Sequence, residues 1–336
     1  MSTVNRGAAR FAPALLGLSL FGLGRAAAAD GPVVVAADDE VRVRRGDHAV
    51  AAGRTPLASG KEVTLEAFRG ETVAFQVIVE AGAAPLAETA LWVGPIAPTD
   101  SGAGGAAGGS ATAPLRPTVY REHYLTVSRR SSNDHAREES LGWLPGARPR
   151  DADVRGEVPD ALIPIELNPA PVSSGPAVPA GKTGAFWVDV FVPDDAPPGD
   201  YTGLCEVTGE GVAIVRFGVR VRVRAPRLPF RGASAFAYYE PERLGTRLGQ
   251  AAAGAAERQL WQLLHAHHVD AIVPLADAAE AKRLAAAYDG SLFTTAAGYD
   301  GPGVGLPPAV IALGAYGALG APGPAALTRL EAVVSA

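Results

Sequence analysis

Residues 185–207 read AFWVDVFVPDDAPPGDYTGLCEV, and the centre of this stretch decides the fold. Two strand-like segments, AFWVDVFV and YTGLCEV, flank PPGD. Pro197 and Pro198 fix φ, and Gly199 tolerates positive φ, which is the chemistry of a turn. Asp194, Asp195 and Asp200 lie within seven positions, as a catalytic acid cluster could. A working acid pair needs burial or a close like charge to separate its two pKa values. A Pro/Gly surface turn supplies little burial, so these acids read as turn residues. Tyr201, just past the turn, matches the tyrosine that corners immunoglobulin-like sandwiches.

Outward from this corner, period-two alternation continues in both directions. VAIVRFGVRVRVRA (212–225) puts Val215, Phe217, Val219, Val221 and Val223 on one face and Arg216, Arg220, Arg222 and Arg224 on the other. That arginine row reads as a solvated face paired with cross-strand acids rather than as a polyanion stripe. Further strands are expected at 33–37, 63–68, 71–80, 90–94, 117–127 and 161–167. EVRVRR (40–45) is read as another outward-facing arginine strand. Two loops interrupt the unit of 31–226. Residues 101–114 are a flexible Gly/Ala/Ser insert, and 128–160 are a long polar loop carrying Trp143. Trp143 would either stack on a sugar or seal a domain interface.

Past residue 232 the pattern changes. ASAFAYYE (233–240) and AIVPLAD (271–277) read as strands, AAERQLWQLLHAHHVD (255–270) and AAEAKRLAAAYDG (278–290) as helices. AVIALGAYG and a last helical stretch follow a Gly-rich loop at 294–308. Strand–helix alternation means a parallel α/β sheet. Two or three such units are present in 232–336, whereas a closed barrel needs eight. The expected class is therefore an all-β, immunoglobulin-like sandwich followed by an incomplete (β/α)8 barrel, the chain being truncated.

The remaining features narrow function. With 336 residues, 48% hydrophobic and net charge −5, the chain is a globular protein without the basic balance of a nucleic-acid binder. Arg6 and Arg10, the apolar run 11–24 and RAAAAD form a signal peptide over 1–29, cut after Ala29. This implies a secreted or periplasmic product; the competing reading is an uncleaved anchor. No later segment is long and apolar enough to span a bilayer. Cys205 is the only cysteine and reads as a small apolar strand residue. His265, His267 and His268 end a helix but lack a third ligand at a defined spacing, so no metal is expected. GYDGPGVG lacks the GK[ST] of a phosphate loop. No cofactor is implied.

Several words then occur in a familiar order: FRGETVAFQVIVE (68–80), YREHYLTV (120–127), PDALIPIE (159–166), FWVDVFVPDDAPPGDYTG (186–203) and RLPF (227–230). In this order they resemble the N-terminal region of bacterial glycoside hydrolase family 123 and the related domain-of-unknown-function 4091 proteins. The resemblance covers about 33–230. It implies a β-sandwich before a catalytic barrel that hydrolyses N-acetylgalactosaminides, the substrate's own acetamido group serving as nucleophile. An adjacent Asp–Glu pair, in a D-E-P word on a mid-barrel strand, would orient that group and protonate the leaving oxygen. Here the only Asp–Glu step is Asp39–Glu40, ahead of the sandwich and followed by Val41. No catalytic residue carries over, and the 336 residues alone are expected to be inactive.

By barrel geometry Tyr238, Tyr239 and Glu240, at a strand end, would face a substrate. Phe293, Tyr299 and Asp300, with Trp143, complete the candidate substrate-binding set, and a glycan is the expected partner. A non-catalytic glycan- or protein-binding sandwich is the competing function, and a purely structural sandwich the third.

Overall fold

The computed structural model describes residues 31–50, 54–58, 60–99, 113–128, 155–165, 177–210, 212–232, 234–273, 275, 277–312 and a few residues between 324 and 335. The expected signal peptide, most of the insert 101–114, residues 129–154 with Trp143, and 313–320 of the last apolar stretch lie outside them.

Among the described residues eleven strands form two sheets. They are β1 (Val33–Asp38), β2 (Arg54–Pro56), β3 (Glu62–Arg69), β4 (Thr72–Glu80), β5 (Thr89–Val93), β6 (Ala97–Pro98), β7 (Pro117–Val127), β8 (Gly156–Pro164), β9 (Thr183–Phe191), β10 (Gly199–Gly209) and β11 (Val212–Arg227). The first sheet runs β2-β1-β4-β9-β7-β8, all antiparallel. The second runs β3-β11-β10-β5 with β6 beside β10, and β3 pairs β11 in parallel. Alternation drives their packing. Phe75, Val77, Phe186 and Val188 of the first sheet share one core with Val207, Phe217, Val219 and Val221 of the second.

The PPGD stretch is where the chain crosses between sheets, since β9 belongs to one and β10 to the other. Gly199 adopts φ 150°, and the buried Tyr201 donates its hydroxyl to Pro197 O at 2.9 Å. That single neutral bond contributes about 1 kcal/mol and satisfies a carbonyl at the turn. Two of the three acids, Asp194 and Asp200, pair with cations. Asp194 bonds Arg227, and Asp200 accepts from Arg222 Nε and Arg220 Nη1, each at 3.1 Å. The Arg222 bond comes first among the causes that lower the Asp200 pKa. The arginine row is a paired outer face: Glu206 faces Arg216, Glu62 faces Arg220, and Glu66 faces Arg224.

Two expectations within this unit are corrected. Residues 40–45 are not a strand. They belong to a covering loop that buries Val43 against the outer face of the first sheet. Gln76 pins this loop by donating to Asp38 O and Val41 O, at 2.7 and 2.6 Å. Arg45 lies over the Tyr124 ring at 4.4 Å. Second, the loop read as ending at residue 160 gives way to β8 at Gly156. Pro159 disguised that strand. It is tolerated because β8 is at the sheet edge, where a register shift accompanies it.

RLPF leads to the second unit. Leu228 N donates to Arg69 O at 2.9 Å, and the Phe230 ring lies 4.6 and 4.7 Å from those of His265 and His268. Next come β12 (Ala235–Tyr238), α1 (Pro241–Leu248), α2 (Gln250–Ala266) and β13 (Val269–Ile272). β12 and β13 pair in parallel. α1 was not anticipated; Pro241 starts it, a position that needs no N–H donor. The helix expected over 278–290 is two short ones, α3 (Ala278–Arg283) and α4 (Ala285–Tyr288), divided at the buried Leu284. Asp270 Oδ2 accepts from Ala309 N and Val310 N at 3.0 Å, and Leu275 N donates to Ala312 O. Residues 309–312 thus advance beside β13 in the same direction, as a third parallel element would.

Candidate functional site

The α/β unit has two ends, and the sequence-predicted residues divide between them. At the C-terminal end of β12, Tyr238 is 55% exposed and packs edge-on against Phe236. Glu240, also exposed, precedes α1 and pairs with Arg243 at 2.5 Å. Tyr239 turns inward instead. Its hydroxyl donates to Glu257 Oε1 and accepts from Trp261 Nε1, both at 2.6 Å, while Arg283 bonds the other Glu257 oxygen. Burial, then the Glu257 bond, pushes the Tyr239 phenol above its ordinary range. Tyr239 is therefore a neutral strut in a satisfied network rather than a group free to meet a ligand.

Phe293 and Tyr299 belong to the core of this unit, which corrects their reading as loop residues facing a substrate. Phe293 stacks on His265 with centroids 3.8 Å apart, and the Tyr299 hydroxyl donates to Pro302 O at 2.5 Å. Both rings are buried beneath a Gly-rich loop in which Gly303 takes φ 71°. A Cβ on Gly303 would meet the Phe230 ring at 2.5 Å, so close ring packing sets the loop's path. His265 Nε2 bonds Gly303 O at 3.0 Å, and burial lowers its pKa. Among the described residues no three His, Cys, Asp or Glu side chains are grouped to hold a metal ion.

At the opposite, N-terminal end of β12 and β13 a cleft of about 1000 Å³ separates this unit from the outer face of the first sheet. Thr118, Tyr120, Asp189 and Phe191 line one wall, Phe230, His267 and Asp300 the other. Among the described candidates, Asp300 is thus the one that lines this concave site, far in topology from Tyr238 and Glu240. Asp189 accepts from Trp187 Nε1 at 2.6 Å. Burial raises its pKa, opposed by the Trp187 and Tyr120 bonds and by His267. Aromatic walls with a few convergent polar groups suit a small polar ligand. Asp189 and Tyr120 escaped the sequence reading, although a signal existed. The alternation of AFWVDVFV puts Trp187 and Asp189 opposite the core-facing Phe186 and Val188.

No family model matches this chain, and no curated protein matches it. Among solved structures, it is similar to a family 123 glycoside hydrolase from Clostridium perfringens, a structure described for glycolipid glycan hydrolysis. The TM-score is 0.49 at 12% identity, over 74% of this chain and 38% of that enzyme. The chain thus corresponds to well under half of that enzyme's length. The N-terminal domain of PorA (TM-score 0.23, 10% identity, 57% of this chain and 97% of that one) and a human PapD-like domain (0.22, 12%, 54% and 96%) are also similar to it.

Proposed function

We propose that this chain belongs to an exported glycoside hydrolase-like protein and that its 336 residues bind carbohydrate without cleaving it. One observation carries this reading. The ordered words that resemble family 123 fall on structural joints: Tyr201 at the sheet-crossing corner, β7 and β9 on the cleft wall, and RLPF as the latch to a parallel α/β unit. In this reading the two-sheet unit is an immunoglobulin-like sandwich, and 232–336 are the first units of a (β/α)8 barrel. The barrel's working face lies at the strand C-terminal ends, where Tyr238 and Glu240 are the exposed polar groups. No second carboxylate stands beside Glu240 in the sequence; its neighbours are Tyr239 and Pro241. Asp39–Glu40, the only such step, lies in the loop after β1. The substrate class would be glycosides of N-acetylgalactosamine, and residues 1–29 the export signal, placing the mature protein outside the cytoplasm.

The test is incubation of the purified chain with an aryl N-acetylgalactosaminide. No release of the phenol above the buffer rate is the expected result. Any turnover would defeat the non-cleaving reading, and turnover that survives Glu240→Gln would also place an unrecognised acid in the chain.

A further inference from the structure

Trp92 is 56% exposed although it belongs to a strand, as the fourth of the five residues of β5. Its neighbours Leu91 and Val93 point into the core, so alternation sends the indole to the outer face of the second sheet. Exposure of that much aromatic surface goes against the burial preference of tryptophan. The ring does not stand free. Ideal Cβ geometry at Gly94 would put a carbon 2.8, 3.2 and 3.4 Å from Cη2, Cζ2 and Cζ3, so the six-membered ring lies down over a residue that has no side chain. Gly94 N donates to Leu204 O at 3.0 Å, which puts Leu204, itself 50% exposed, on the adjoining strand beside the ring. The product is a flat apolar plate.

A polar rim adjoins it. Glu206 is directly opposite Trp92 in the β10–β5 register, and Arg216 is directly opposite Glu206 in the β10–β11 register. Trp92, Glu206 and Arg216 thus form one row across three strands, at the usual spacing of about 4.8 Å between neighbours. The Glu206–Arg216 pair is solvent-facing, with the Arg216 side chain 64% exposed. Such exposed pairs contribute little to stability, so their polar atoms can be redirected to a ligand at little cost. Across the whole face, Arg216, Arg220, Arg222 and Arg224 meet Glu206, Glu62, Asp200 and Glu66, four cations against four carboxylates. A balanced face selects neither a polyanion nor a polycation.

We propose that Trp92, flattened on Gly94 and rimmed by Glu206 and Arg216, is a stacking platform for a neutral glycan on the outer face of the second sheet. The apolar C–H face of a pyranose covers the indole, and its hydroxyls exchange hydrogen bonds with the carboxylate and guanidinium. The ligand class rests on the carbohydrate reading above, but the surface is separate from both the cleft and the strand ends.

Tryptophan fluorescence titrations and retention on immobilised N-acetylgalactosaminides and other neutral glycans test it with three proteins. These are the natural chain, Trp92→Ala and Gly94→Ala. Gly94 does not occupy the left-handed region, so Gly94→Ala leaves the backbone unstrained and only lifts the ring. Trp92→Ala is expected to lose tenfold or more in affinity and Gly94→Ala a smaller factor, with melting temperatures unchanged. Retention of Trp92→Ala equal to that of the natural chain overturns the platform while leaving the carbohydrate reading standing. No retention of the natural chain on any neutral glycan overturns both. Concentration-dependent dimerisation lost in Trp92→Ala, with glycan retention unaltered, would make this face a contact between two copies and also overturn the platform.

Discussion

Replacing Glu122 by glutamine is expected to abolish a loss of stability of roughly 3 kcal/mol that the natural protein suffers between about pH 4.5 and pH 7. Glu122 sits on the outward face of β7, 3% exposed, and its Oε1 has no hydrogen-bond partner among the described residues. Burial disfavours the ionised form and pushes this carboxyl from 4.5 up to about 7. The sign follows. An acid whose folded pKa is raised binds its proton more tightly in the folded state. Stability is therefore full below the unfolded value, falls as pH rises through the gap, and is flat above the folded value. Glutamine keeps the shape without the titration. Denaturant unfolding from pH 4 to 8 reads the effect as the difference between two profiles, in which acids common to both proteins, such as Asp189, cancel. Parallel profiles would show that Glu122 is solvated or paired in solution.

Trp261→Ala is expected to destabilise the α/β unit by about 3–5 kcal/mol and to leave the two-sheet unit folded. Trp261 is 2% exposed at the centre of that unit's core, edge-on to both Tyr239 and Tyr288. Its indole N–H also supplies one of the bonds to the Tyr239 hydroxyl. Truncation therefore leaves a cavity and takes a donor from the Tyr239–Glu257–Arg283 network. The unit is small, so a loss of that size consumes most of what it has. Limited proteolysis should cut the variant beyond residue 232 while a fragment ending near there persists. Simultaneous loss of both units would show instead that they fold as one cooperative body.

Local pattern made much of this architecture legible. β7 spans Pro117–Val127, the segment expected from alternation alone, and the arginine row meets its acids because period two leaves those side chains no inner face. The corner at Tyr201 was readable because Pro–Pro–Gly–Asp and a following tyrosine carry their own geometry. What failed depended on distant partners. EVRVRR alternates like a strand, yet β1 already occupies the place beside β4, so the segment folds over the sheet instead. The parallel pairing of β3 with β11 joins residues more than 150 positions apart and leaves no local trace. The site divided in the same way. Asp300 and Tyr238 are cleft-lining or exposed. Phe293 and Tyr299 are not, because the Gly-rich loop folds them against His265. Asp189 and Trp92 lie on the outward sides of strong strands, where alternation by itself does not distinguish a functional residue from a solvated one.

The most direct measurement is retention of a chain of residues 30–336 on an array of neutral glycans that includes terminal N-acetylgalactosamine. Selective retention on N-acetylgalactosamine-bearing glycans, competed by the free sugar, is the predicted result. Uniform absence of retention, with the two-sheet unit shown to be folded by its near-ultraviolet circular dichroism, would contradict the carbohydrate-binding function.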